Sequence, residues 1–80
     1  MVTLGTAIGH TIRTIRHEQN LTLRQLSQRS YISLGHISDA ERGDTDLSYK
    51  LLDDLATKGL RIPTEELMKA VVAFMEQENK

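Results

Sequence analysis

The side chains able to do chemistry fall into a few groups, and their spacing excludes more than it permits. His10, His17 and His36 are the only histidines, and no cysteine accompanies them. His10 and His17 stand seven apart and so share a helix face, but two histidines with no carboxylate between them make a poor metal site. There is no glycine-rich phosphate loop, no nucleophile elbow and no carboxylate pair in an apolar setting. The chain therefore reads as a non-enzyme that needs neither a cofactor nor a metal. Arginine is the informative group. Before Asp44 the cations are Arg13, Arg16, Arg24, Arg29 and Arg42, against Glu18, Asp39 and Glu41; from Asp44 onward five cations meet eight carboxylates. Guanidinium groups suit bidentate phosphate contacts. The first half thus reads as a nucleic-acid face and the acidic second half as something else, although the net charge of −1 alone would not suggest it.

The 80-residue length suits one domain, spanning 1–80. With no disulfides available, a chain this short must rely on compact helix packing or on self-association. The lack of thiols fits a reducing compartment. No apolar run nears the roughly 20 residues of a membrane span, and Met1-Val2-Thr3-Leu4 has neither a basic start nor a long apolar core. The expectation is a cytoplasmic, nucleoid-associated protein, complete from Met1 to its polar Glu76-Gln77-Glu78-Asn79-Lys80 end.

Periodicity and capping residues predict the elements that must position these groups. Ala7, Ile8, Ile12 and Ile15, at steps of three and four, predict a helix from about Thr6 to Glu18, closed by Gln19-Asn20. Thr22-Leu23-Arg24-Gln25 has the form of a capping box, with Leu21 placed to staple onto Leu26. A helix of about two turns should follow, ending near Arg29 or Ser30. After a Tyr31-Ile32 turn, Ser33 caps a third helix, Leu34 to Glu41, with Ile37 and Ala40 inward and Gly43 in the left-handed position past its end. Asp44-Thr45-Asp46 is loop. Ser48 caps a fourth helix that packs Leu51, Leu52 and Leu55, with Lys58-Gly59 as its stop. Ile62-Pro63-Thr64 opens the last helix, with Glu65 and Glu66 at the positive end of its dipole, and the helix runs almost to Lys80. The fold class is all-α, with five helices.

The unit from Leu21 to Gly43 carries the function. Two short capped helices joined by three or four residues have helix-turn-helix spacing. In that arrangement the second helix enters the major groove while the first crosses the backbone above it. Leu23-Arg24-Gln25-Leu26-Ser27, followed by Ile32-Ser33-x-x-x-Ile37-Ser38-x-x-Glu41-Arg42-Gly43, resembles the lambda-repressor-like (Xre) helix-turn-helix family across essentially the whole chain. The Ser33-Leu34-Gly35 start and Glu41-Arg42-Gly43 end of the third helix are similar, more narrowly, to the actinobacterial regulators of Clp protease genes. The resemblance implies a compact five-helix domain with its helix-turn-helix core at about 21–43. It implies a bacterial or phage transcriptional regulator that binds double-stranded DNA as a homodimer on an inverted-repeat operator. It further implies that Leu34, Gly35, Ser38 and Asp39 face base edges, and that Thr22, Arg24, Ser33, His36, Arg42 and Lys50 contact the DNA backbone. Glu41 would pair with Arg16 of the first helix and tie the recognition helix to the scaffold. Thr22 and Ser33 are helix caps under any function, His36 reads equally well as a solvated surface histidine, and Arg13, Arg29 and Arg61 read as solvated charges.

Two departures from the family pattern bear on affinity. The loop after Gly43 is often basic in the family, but here it holds Asp44 and Asp46, which repel phosphates. The outward positions before Arg42 offer no arginine, lysine, asparagine or glutamine for bidentate base contacts. Modest affinity per monomer, dependence on dimerisation and strong salt sensitivity are the expectation. The last helix, about 63–79, is apolar on nearly every side. Leu67, Val71 and Phe74 can face inward, leaving Met68, Val72 and Met75 as a second stripe for self-association, unless the helix simply docks into the core. The acidic loop and second half leave another reading open. The chain could be a protein-interaction module of the same fold, an antirepressor or antitoxin-like partner of a regulatory protein.

Overall fold

The computed structural model describes residues 1–79 and contains five α-helices and no strand among them. α1 spans Leu4–Glu18, α2 Leu23–Ser30, α3 Leu34–Glu41, α4 Tyr49–Asp54 and α5 Thr64–Glu78. The fold class is that expected. Local side chain–backbone chemistry sets most boundaries. Thr22 Oγ1 accepts from the Gln25 N–H at 3.0 Å and Gln25 Oε1 accepts from the Thr22 N–H at 2.8 Å, a complete capping box. Ser33 and Ser48 cap α3 and α4 in the same way, accepting from His36 N and Leu51 N, each at 3.2 Å. α1 starts two residues before the predicted Thr6, because Thr3 accepts from Thr6 N and so caps a turn the apolar pattern does not mark.

The end of α4 differs from the prediction. Lys58-Gly59 does not stop the helix. The chain continues past Asp54 as a π-helical turn, Leu55–Leu60, and reverses at Arg61 in the left-handed conformation, φ 59°. Gly59 serves packing instead: a Cβ there would lie 2.5 Å from Leu26 Cδ1 on α2. The carbonyls at the end of this turn find donors on neighbouring helices, Gly59 O from Arg29 Nη1 at 3.3 Å and Leu60 O from Gln19 Nε2 at 2.8 Å. Arg29, expected as a solvated charge, is thus half-buried and holds α2 to the turn.

The core joins all the helices. Ile12, Leu26, Ile37, Leu55, Leu60, Leu67 and Val71 are fully buried, each stabilising the fold by roughly 1.5–3 kcal/mol. Leu21 and Leu26, the expected staple, belong to the same cluster. α5 turns Leu67 and Val71 into this core, but Phe74 is only half-buried and stacks on His10 of α1, centroids 4.1 Å apart. Val2 N donates to Asn79 Oδ1 at 2.7 Å, clasping the two ends of the described chain beside the α1–α5 contact. Among the described residues no buried side-chain nitrogen or oxygen lacks a hydrogen-bond partner.

Candidate nucleic-acid interface

α3 sorts its residues by face. Leu34, Gly35, Ser38, Asp39 and Arg42 recur along one stripe, and Ile37 and Ala40 are buried on the opposite side. Leu34 is 41% exposed, one of the exposed large apolar side chains of the domain. A Cβ added at Gly35 would meet nothing within 4 Å, so no neighbour in the domain requires glycine there. Thr22, Arg24 and Ser33 are exposed around the amino ends of α2 and α3, and His36 is half-buried in the first turn of α3. Exposed helix amino ends present backbone N–H groups and a partial positive charge, the arrangement that binds phosphate.

Two features of the scaffold fix where α3 sits. Arg16 and Glu41 form a bidentate pair, Nε to Oε2 at 2.7 Å and Nη2 to Oε1 at 3.0 Å, with side chains 9% and 6% exposed. Arg16 Nη1 also donates to Leu21 O at 2.8 Å, so one guanidinium links α1, the start of the helix-turn-helix and the end of α3. Gly9 is the second feature. A Cβ at Gly9 would fall 2.1 Å from Ala40 O and 2.8 Å from Glu41 O, so α1 touches the backbone of α3 through a residue with no side chain. The sequence marks Gly9 only faintly, as a glycine inside an otherwise regular helix pattern.

Of the two carboxylates after Gly43, Asp44 has a partner within the domain. Arg42 donates from Nε to Asp44 Oδ2 at 3.0 Å, from Nη1 to Ser38 Oγ at 2.8 Å, and from Nη2 to Asp39 Oδ1. Asp46 lies over the first turn of α1, where a Cβ at Gly5 would stand 3.7 Å from Asp46 Oδ1. A carboxylate at that amino end is favoured by the helix dipole, and α1 has no acidic residue of its own there. Lys50 stands apart from the α3 cluster, 83% exposed and bonded to Asp54 at 3.3 Å. Desolvation raises the Asp54 carboxyl, and Lys50 with Lys58 outweighs it, leaving the group below its ordinary value. Tyr31 and Tyr49, not singled out from the sequence, are 88% and 78% exposed. Their signal was position: Tyr31 directly follows α2, and Tyr49 opens α4 beside Lys50.

On the outer side of α5, Val72 is 49% exposed and Met68 and Met75 are half-buried. Met68, Val72 and Ala73 floor a shallow depression of about 490 Å³, rimmed by Glu65, Lys69 and Glu76. No helix of the described residues is long and apolar enough to cross a membrane.

Capped helices at this spacing, the second presenting a polar stripe and anchored from behind, define a helix-turn-helix domain. Residues 12–67 match the helix-turn-helix family profile, and the chain belongs to that family. It is 38% identical over 56 residues to the transcriptional regulator ClgR of Mycobacterium tuberculosis, a stretch covering 70% of this chain and 49% of the relative. The chain thus spans about half the length of the curated relatives it matches. The fold is similar to that of the clp gene regulator ClgR from Corynebacterium glutamicum, with a TM-score of 0.90 at 27% identity, covering 98% of this chain and 82% of that one. It is also similar to the restriction-modification controller protein C.Esp1396I in a tetramer bound to its natural 35 base-pair operator. That match has a TM-score of 0.76 at 28% identity and covers 90% of this chain and 99% of that one.

Proposed function

We propose that this chain is a sequence-specific, double-stranded DNA-binding transcriptional regulator that acts as a homodimer on an inverted-repeat operator, at the nucleoid in the cytoplasm of a bacterium or phage host. The observation that carries this reading is one stripe of α3, with Leu34 and Gly35 exposed and Ser38 and Asp39 half-buried beside them, on a helix anchored by a buried ion pair. In the major groove Leu34 suits a thymine methyl, Gly35 lets the backbone approach closely, and Ser38 and Asp39 can exchange hydrogen bonds with base edges. Thr22, Arg24, Ser33 and His36 line the phosphate track around the two helix amino ends, and Lys50 and Tyr49 extend it from α4. The operator-bound tetramer of C.Esp1396I supports the reading by likeness.

Met68, Val72 and Met75 form the dimer surface. The depression that Met68 and Val72 share with Ala73 is edged by charges of both signs, Glu65, Lys69 and Glu76, which suits a two-fold, self-complementary contact. The dimer would place two α3 helices about one DNA turn apart. Val72→Glu combined with Met75→Glu should sediment as a folded monomer at concentrations where the unmodified chain is a dimer. An intact dimer would move the interface elsewhere.

The base-reading roles have a separate test. Ser38→Ala and Asp39→Ala should change which duplexes the protein selects more than how tightly it binds DNA in general, with about 1–3 kcal/mol of discrimination at stake per lost base contact. Selections identical to those of the unmodified chain would contradict this docking of α3.

A further inference from the structure

The end of α3 has an unusual occupant. Gly43, φ 77°, turns the chain so that Gly43 N donates to Ala40 O at 3.0 Å and Asp44 N donates to Asp39 O at 2.9 Å. This is the paired bonding of a Schellman motif, which brings the second residue past the cap back against the helix and is often sealed by an apolar contact there. Here the two residues brought together, Asp39 and Asp44, are both carboxylates. Side by side they repel, and the group between them is the Arg42 guanidinium, bonded to both and to Ser38 Oγ. Three of its five N–H donors are therefore engaged inside the domain.

Resting on the DNA-binding reading, we propose that Arg42 is a positioning residue for base readout, holding Ser38 and Asp39 in fixed donor and acceptor roles, and is not a phosphate ligand. The chemistry of each partner gives the mechanism. Arg42 can only donate, so Ser38 Oγ accepts from it, and what the serine retains to offer a base is its proton. Without that constraint a serine hydroxyl in a helix rotates or bonds back to its own backbone. Arg42 engages Asp39 through Oδ1, which leaves Oδ2 to accept from a base amino group. One guanidinium fixes one outward donor and one outward acceptor, four and five residues after the start of α3. The three charged side chains, Asp39, Arg42 and Asp44, are 50–62% exposed, so each ion pair alone is weak, and the order comes from one planar fork shared by three partners.

The test compares Arg42→Ala and Arg42→Lys with the unmodified chain in random-duplex selection and in binding against salt concentration. Arg42→Lys keeps the charge a phosphate needs, but its single ammonium cannot reproduce the planar three-way fork. Both variants should lose about tenfold discrimination at the base pairs read by Ser38 and Asp39, with the slope of log K on log[salt] unchanged. If Arg42→Ala lowers the slope by about 1 and leaves the preference intact, Arg42 is a phosphate ligand and the proposal is overturned. Wild-type behaviour of Arg42→Lys would also overturn it. Failure of the unmodified chain to select any sequence would instead remove the regulator reading, and this proposal with it.

Discussion

Gly9→Ala should destabilise the domain by about 3 kcal/mol, the reverse of what a glycine-to-alanine change in a helix ordinarily does. In an open helix the added methyl is favourable by up to roughly 1 kcal/mol. At Gly9 it would sit 2.1 Å from Ala40 O, and backbone cannot rotate away as a side-chain end can. The clash can be relieved only by moving α1 away from α3, which loosens the helix proposed to read DNA. A domain of this size has about 5–10 kcal/mol in total, so the loss should be plain in a urea titration. Gly35→Ala is the internal control. Nothing lies within 4 Å of its added Cβ, so it should leave the fold equally stable or slightly more stable. If Gly9→Ala is as stable as Gly35→Ala, α1 and α3 do not approach as described.

Glu41→Ala should be comparably damaging, by about 3–5 kcal/mol, because it leaves the Arg16 guanidinium charged among buried groups. Arg16 would retain Leu21 O and the ring nitrogen of His17 as neighbours, neither of which carries a countercharge. Removing both partners should cost much less than the sum of the two single changes. Arg16→Met with Glu41→Leu replaces the pair by apolar volume, a swap that is often neutral in other proteins. A double-mutant cycle by denaturant titration therefore expects strong coupling between the two sites. Additive losses would mean that the pair contributes little and that α3 is held by packing alone.

What could be read from the sequence was local. Thr22 with Gln25, Ser33, Ser48 and Gly43 announce helix ends through bonds to backbone a few residues away, and the helix-turn-helix follows from those ends. What could not be read depends on residues distant in the chain. Gly9 looks like an unremarkable helix residue until α3 is laid across it. Gly59 carries the ordinary signal of a stop, yet it marks where Leu26 presses against the π-helical turn and Arg61 makes the reversal. Arg29 looked like a free surface charge because its acceptor, Gly59 O, is 30 positions further on. By composition alone the Asp44-Thr45-Asp46 loop repels DNA. Only the fold shows Asp44 held by Arg42, which relieves part of that objection.

Whether a pair of α3 helices reads an inverted repeat is tested most directly by selection of random duplex DNA by the purified chain at about 50–100 mM salt, followed by sequencing. The expected result is enrichment of an inverted repeat with half-site centres about one helical turn apart. A folded, dimeric protein that enriches no sequence would contradict it, and would point to a protein-binding module built on the same fold.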